Sequence, residues 1–262
     1  MFQSREAPSR AETKLIRGLH RRKVRDEERL FLAEGIRVVE ELVDSGVPVR
    51  FAVVAPAAEE SERGRALVRA LAERAPVRRV SDAEFARLAA TETPQGVLAV
   101  AEIPQHELQA IAPPLVATVL VLDGVQDPGN FGTMVRTADA FGVDLVAALP
   151  GTVDPWNPKA VRASAGASFR VPIVETAVDR LLTWLRSHGF VIYGAEAGAT
   201  DVGSLRIARR AAIVVGNEGA GLSPTMRGAA DELVAIPIAG HVESLNAAVA
   251  AGILLYLFTR RR

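Results

Sequence analysis

The chain has 262 residues, 49% of them hydrophobic and 24% charged, with 31 Lys+Arg balanced by 31 Asp+Glu. That length buries a core in one large or two modest domains, and a balanced charge advertises no nucleic-acid partner unless cations gather locally. Cysteine is absent, which excludes disulfides, thiolate metal sites and cysteine nucleophiles; His20, His106, His188 and His241 lack the paired spacing of a zinc site, so no metal is expected. No apolar run reaches the ~18 residues of a membrane span, and the charged N-terminus lacks the apolar centre of a signal peptide, so a cytoplasmic location is expected.

Cations do gather at the N-terminus. Residues 1–29 hold nine Lys/Arg against five acids, densest at His20-Arg21-Arg22-Lys23-Val24-Arg25, and Arg260-Arg261-Arg262 ends the chain. Each cluster reads either as a solvated surface or as a nucleic-acid contact. Phe31–Gly35 reads as a short strand that turns through Gly35 into an amphipathic helix, Ile36–Val43. Val49–Ala55 is a buried-type strand, Glu59–Arg74 a helix, and Val77–Val80 a short strand. Ser81-Asp82-Ala83-Glu84 matches a capping box that opens a helix to Ala89, and Gly96–Ala101 is a further strand. These alternating elements make a small α/β domain, residues 1–105. Residues 106–114 form the linker, in a stretch with three prolines and no periodicity.

The second domain, 115–262, opens on the apolar run Val116–Leu122, suited to a central parallel strand. Further strands are expected at Leu145–Leu149, Phe190–Ala195, Ala211–Val215 and Leu233–Ile236. Helices are expected at Phe131–Phe141, Ala177–His188, Pro224–Gly228 and Leu245–Thr259. The alternation predicts a parallel α/β sheet. Ligands of such sheets bind at the carboxyl ends of the strands. Two glycine-rich segments lie there: Asp123-Gly124-Val125-Gln126-Asp127-Pro128-Gly129 and Gly216-Asn217-Glu218-Gly219-Ala220-Gly221. So does the loop after Ile236, which leads through Ser244-Leu245-Asn246 into an apolar helix. Neither glycine segment is a dinucleotide-binding fingerprint, but three loops converging at one sheet edge can form one pocket. A polar Ser244 and Asn246 at a buried helix entry are costly unless they bind something.

Three blocks, Leu122–Gly142, Ile213–Ser223 and Ile236–Ile253, in this order and near these spacings, resemble the SpoU (TrmH-type) RNA ribose 2′-O-methyltransferases of the SPOUT superfamily. The resemblance is strong from about residue 115 onward. It implies a SPOUT domain whose last loops form a deep trefoil knot, and a pocket for S-adenosyl-L-methionine held by Gly216, Ile236 and Leu245. Glycine there lets a ligand approach the backbone. It also implies a homodimer. For Arg136, in Thr133-Met134-Val135-Arg136-Thr137-Ala138, burial without an anionic partner would be expensive. It either pairs with Glu218 or Asp139, or meets RNA at the target ribose, as a base if strongly perturbed or as an orienting and electrostatic group. Asn130, Glu218, Ser244 and Asn246 would position Arg136 and the ribose. Lys159 and Arg162, in Trp156–Ser168, fit a basic helix that contacts RNA or a solvated face, and Trp156 reads as core.

The first domain, through Phe31–Gly35 and Thr93-Pro94-Gln95-Gly96-Val97, resembles the small substrate-binding domain of this family's rRNA-directed branch. The expected reaction is therefore methylation of a ribose 2′-hydroxyl in large-subunit (23S) rRNA, with RNA contacts from Arg21, Arg22 and Lys23. A tRNA 2′-O-methyltransferase and a non-catalytic RNA-binding protein of the same fold are the alternatives.

Overall fold

The computed structural model describes residues 7–240, 242 and 244–260. Arg5, His241, Arg261 and Arg262, which enter the readings above, lie outside the described residues. The chain divides into two compact units. The first comprises the described residues up to Pro104 together with Trp156–Phe169. The second comprises Gln105–Pro155 and the described residues from Arg170 onward.

In the first unit the basic N-terminus is two helices, α1 (Arg10–Leu19) and α2 (Arg22–Glu28). Ser9 caps α1 in a reciprocal box with Glu12. Arg25 is buried, and its Nη1 donates to the Leu19 carbonyl oxygen at 2.6 Å, satisfying the end of α1. The chain continues through β1 (Leu30–Glu34), α3 (Ile36–Ser45), β2 (Val49–Val54), α4 (Glu62–Arg74), β3 (Val77–Arg79), α5 (Asp82–Ala86) and β4 (Val97–Glu102). As the sequence predicts, Gly35 turns β1 into α3 at positive φ and Ser81 with Glu84 caps α5, although α5 stops short of Ala89. The strands form one sheet in the order β1-β4-β2-β3. The β1/β4 and β4/β2 pairs are antiparallel and β2/β3 is parallel. One face of the sheet packs Phe31, Val39, Leu42 and Leu71, and the other packs Ile16, Leu19, Phe85 and Leu98.

The second unit begins with a docked linker. Leu108 is buried, and the Arg210 guanidinium donates to the carbonyl oxygens of Pro113 and Pro114. Then follow β5 (Ala117–Asp123), α6 (Pro128–Ala140) and β6 (Leu145–Ala148). Next comes α7 (Pro158–Ser164), within the segment that clusters with the first unit. The aromatic rings explain that grouping: Trp156 and Phe169 lie 4.8 and 5.5 Å from the Phe31 ring. Gly166, at positive φ, closes on α3 so tightly that a Cβ there would lie 2.3 Å from the Glu41 Cβ. The expected continuous second domain thus contains a helix that packs with the first. Trp156 is core, as its sequence setting predicts.

The chain returns as β7 (Ile173–Glu175), α8 (Val178–Ser187), β8 (Val191–Asp201), β9 (Arg210–Gly216), α9 (Pro224–Ala229), β10 (Glu232–Ala235) and α10 (Ala247–Thr259). All five strand pairings are parallel, in the order β10-β8-β9-β5-β6-β7. The continuous apolar run of β5 is buried at every position, as a strand covered on both faces requires. Edge strand β7 escaped the sequence reading because three residues carry no period. Helix α10 starts at Ala247, two residues later than predicted, because Asn246 is its cap. The knot implied by resemblance involves the loop after β10, which includes His241 and Glu243, outside the described residues.

Phe31 joins β1 to the Trp156–Phe169 segment within the first unit. Phe31→Ala should cost about 3–5 kcal/mol, the range for a buried Phe truncation. Urea unfolding measures this, and a red-shifted tryptophan emission should accompany it as Trp156 loses its cover.

Candidate active site

Strands β5 and β9 lie side by side with Asp123 opposite Gly216, so the loops that follow them emerge together. The loop after β9 folds back on itself: Asn217 and Gly221 exchange two backbone hydrogen bonds of 2.9 Å. The Asn217 side chain organises it. Its Oδ1 accepts from the N–H groups of Gly219 and Ala220, and its Nδ2 donates to the Gly124 carbonyl oxygen in the loop after β5. Buried Asp123 accepts from the Ser223 N–H at 2.7 Å, which makes it a structural brace. Gly216 must be glycine, because a Cβ would sit 2.3 Å from the Gly221 carbonyl carbon and 2.5 Å from the Leu222 nitrogen. Among these residues the sequence reading singled out Gly216 alone as a site residue. An Asn heading a glycine-rich turn is the signal that could have found Asn217.

Glu218, at the tip of this turn, accepts from the backbone N–H groups of Gln126 and Asp127 and from Asn130 Nδ2, each at 3.1 Å. Asn130 in turn accepts at Oδ1 from Asn246 Nδ2 at 3.0 Å. The same Asn246 caps α10 by accepting from the N–H groups of Ala248 and Val249. Asp127 caps α6. Burial pushes the Glu218 carboxyl up, but the Asn130 amide and the backbone donors outweigh it and hold the carboxyl below its ordinary value of 4.5.

A cavity of about 680 Å³ opens beside this network. Two of the three expected loops line it, Gly216 to Leu222 after β9 and the single loop between β10 and α10 through Ile236, Ile238, Ser244 and Leu245. Ala195, Glu196 and Ala197 of β8 join them. The expected loop after β5, Asp123 to Gly129, is not part of the lining and meets the site through its hydrogen bonds to Glu218 and Asn217. Gly216, Ile236 and Leu245 therefore come together, with Glu218 and Ser244 in the same lining. Asn130 and Asn246 join them through hydrogen bonds to Glu218. The expectation that Ser244 and Asn246 lie at a buried helix entry is corrected: both are exposed, because α10 begins at the surface of the loop cluster. Glu196 and Arg227, which the sequence reading did not single out, also line the cavity and form a two-pronged ion pair of 2.7 Å.

Arg136 differs from its expectation. It is exposed on α6, so no burial cost arises, and it makes no ion pair among the described residues. Glu218 is engaged as above, and Asp139 pairs with Arg170 at 2.7 Å. Six residues along a helix place Arg136 about 9 Å beyond Asn130 and roughly 120° around the axis. The guanidinium therefore belongs to neither the network nor the cavity lining. The expected RNA-contacting residues lie in the first unit. Arg21 precedes α2 and is exposed, whereas Arg22 and Lys23 pair with Asp26 and Glu27 one turn on, at 3.5 and 3.7 Å. Lys159 is exposed on α7. Arg162 is half-buried, with Nη1 buried and lacking a hydrogen-bond partner among the described residues. No group of three metal-ligating side chains occurs among the described residues.

Because Glu218 is held below its ordinary value, its contribution to loop order is full above about 4.5 and lost as pH falls through the lower, folded-state value. Amide exchange at Gln126 and Asp127, corrected for intrinsic rates, should accelerate over that lower range. In Glu218→Ala it should be fast at neutral pH.

Residues 117–256 match the SpoU rRNA methylase family, and residues 11–99 match an MRM3-like substrate-binding domain. A 23S rRNA (guanosine(2553)-2′-O)-methyltransferase, RlmP of Bacillus subtilis, is 35% identical over 91% of this chain and 92% of its own length. Among solved structures, the SpoU methyltransferase AviRb from Streptomyces viridochromogenes, in complex with the cofactor AdoMet, superposes with a TM-score of 0.88. It is 30% identical, with 97% of this chain and 98% of that one covered. An AdoMet-bound rRNA methyltransferase from Sinorhizobium meliloti superposes with a TM-score of 0.86 at 31% identity, covering 98% and 97%. The parallel sheet, the cavity at its carboxyl edge, a family match over residues 117–256 and a relative aligned over nine-tenths of both chains lead to one conclusion: this chain belongs to the SpoU rRNA methylase family.

Proposed function

We propose that this protein transfers the methyl group of S-adenosyl-L-methionine to a ribose 2′-hydroxyl of 23S rRNA. The observation that carries the reading is the cavity that the loops after β9 and β10 build with the end of β8 at the carboxyl edge of the parallel sheet. The residues fit the cofactor. Gly216, whose Cβ would strike the neighbouring turn, leaves bare backbone at the cavity wall. Val234, Ile236, Leu245 and Leu254 supply apolar surface for an adenine ring. When bound, the cofactor supplies an electrophilic methyl group on a sulfonium.

The chain's own residues do the rest. Glu218, which lines the cavity, is hydrogen-bonded to Asn130 and through it to Asn246, and Ser244 adds a hydroxyl to the lining. These groups orient the ribose so that its oxygen faces the methyl group, and alignment of the reacting atoms supplies much of the acceleration. Arg136 carries a planar cation with five donors. Free of a carboxylate partner among the described residues, it grips an RNA phosphate or stabilises the developing alkoxide. This favours the orienting and electrostatic role over that of a base. Lys159 and Arg162 on α7 serve as further RNA contacts in this reading, and an RNA-modifying role in translation fits a cytoplasmic location. Val249 and Tyr256, exposed on α10 at 52% and 42%, support a homodimer formed through that helix. Sedimentation equilibrium is its test.

Titration calorimetry with the cofactor in the absence of divalent ions should show binding. Arg136→Ala should leave that binding intact and abolish 2′-O-methylation of 23S rRNA, and Arg136→Lys should fail as well, since a point charge does not copy a planar fork. Near-normal turnover in either variant removes Arg136 from the reaction. Mapping 2′-O-methyl positions in rRNA from cells with and without the gene identifies the nucleotide. A missing mark in tRNA instead would support the tRNA alternative.

A further inference from the structure

The first unit separates its N-terminal cations into two groups that the sequence presents as one. Residues 22–28 hold three cations, Arg22, Lys23 and Arg25, and three acids, Asp26, Glu27 and Glu28. Arg22 and Lys23 sit one turn from Asp26 and Glu27, and Arg25 is buried against Leu19. Three acids beside three cations leave this helix with no net charge, although both ion pairs are solvent-exposed and individually weak.

Helix α1 is different. Arg10, Lys14 and Arg17 recur at intervals of four and three residues, which places them on one face, and Arg21, in the turn between α1 and α2, lines the same depression. All four are exposed. None makes a side-chain hydrogen bond or ion pair among the described residues. The single acid within α1, Glu12, is engaged elsewhere: its carboxylate accepts from the Ser9 backbone N–H and pairs with Arg78 at 3.0 Å. The four cations line a shallow depression of about 570 Å³, whose remaining walls are Pro8, Thr13 and Gly18. Small side chains between the cations leave room for a backbone to lie against the helix. From Arg10 to Arg17 the row runs about 10 Å along the axis, a length that spans several phosphates of one strand.

We propose that the face of α1 that carries Arg10, Lys14 and Arg17, together with Arg21 in the turn before α2, grips the phosphate backbone of the substrate RNA, and that Arg22 and Lys23 contribute little. The inference rests on the reading of the protein as an RNA methyltransferase and adds the surface that holds the RNA. Unpaired surface cations release counterions from RNA without first breaking a protein ion pair, so their contribution is full and salt-dependent. Cations already paired with Asp26 and Glu27 must exchange one anion for another.

The experiment compares the full-length wild type with an Arg10→Ala/Lys14→Ala/Arg17→Ala variant and an Arg22→Ala/Lys23→Ala variant. Each is titrated with a 23S rRNA transcript across a salt series, with cofactor affinity measured by calorimetry in parallel. The triple variant should bind RNA at least about tenfold more weakly near 0.1 M salt. Its slope of log affinity against log salt should be shallower by about two to three. Cofactor affinity should be unchanged in both variants, and the double variant should lose less than about one unit of slope. Lys14→Gln and Arg17→Gln singly, each expected to lower the slope by about one, keep the test open if the triple variant folds poorly. A triple variant with the wild-type slope, or a double variant that loses as much, overturns the surface. If the wild type neither binds nor methylates the transcript, the parent reading falls and this surface with it. If the wild type methylates and only the triple variant behaves unexpectedly, the surface alone is lost.

Discussion

The Glu218 carboxylate sits where three segments distant in sequence must be held together. It accepts from the backbone after β5 and from Asn130 near the start of α6, and Asn130 passes the connection on to Asn246 at the head of α10. Each bond alone is modest, and an exposed carboxylate in water gains little from a single donor. The arrangement matters because every partner is also committed locally. Gln126 and Asp127 offer backbone N–H groups that lead into α6, and Asn246 caps α10 with the same side chain. Removing the carboxylate would therefore disturb two helix starts and one turn at once.

The parallel sheet makes that convergence possible. Parallel strands deliver all their following loops to one edge, and the β5–β9 register sets Asp123 opposite Gly216. Asp123 and Asn217 then tie the two loops through backbone groups. The lining of the cavity combines polar Glu218 and Ser244 with apolar Val234, Ile236 and Leu245. A cavity of this kind suits a ligand with one apolar ring and one polar end.

In the first unit, the same physics of pairing decides which cations are available. A helix places residues four apart side by side, so α2 sets Asp26 and Glu27 beside its cations and offsets their charge, while α1 leaves its cationic row without acids beside it. Overall neutrality, 31 against 31, hides this local polarity.

The sequence alone determined the α/β class, most of the strands and helices, and two of the loops that line the cavity. Those signals are local: apolar runs in β5, caps such as Ser81 with Glu84, and glycines at strand ends. It also marked Asn130, Gly216, Glu218 and Asn246 through motif resemblance. Only the tertiary structure decided what these residues bond to, because Asn130 and Asn246 lie 116 positions apart in the chain and meet only when α10 packs on α6. It also showed that Arg136 faces solvent, since flanking apolar residues say nothing about which side of α6 position 136 occupies. It joined Trp156–Phe169 to the first unit, because an aromatic cluster around Phe31 leaves no periodic trace across more than a hundred residues. Density of charge in a sequence is likewise not density of free charge: which cations remain unpaired is settled by geometry around each helix.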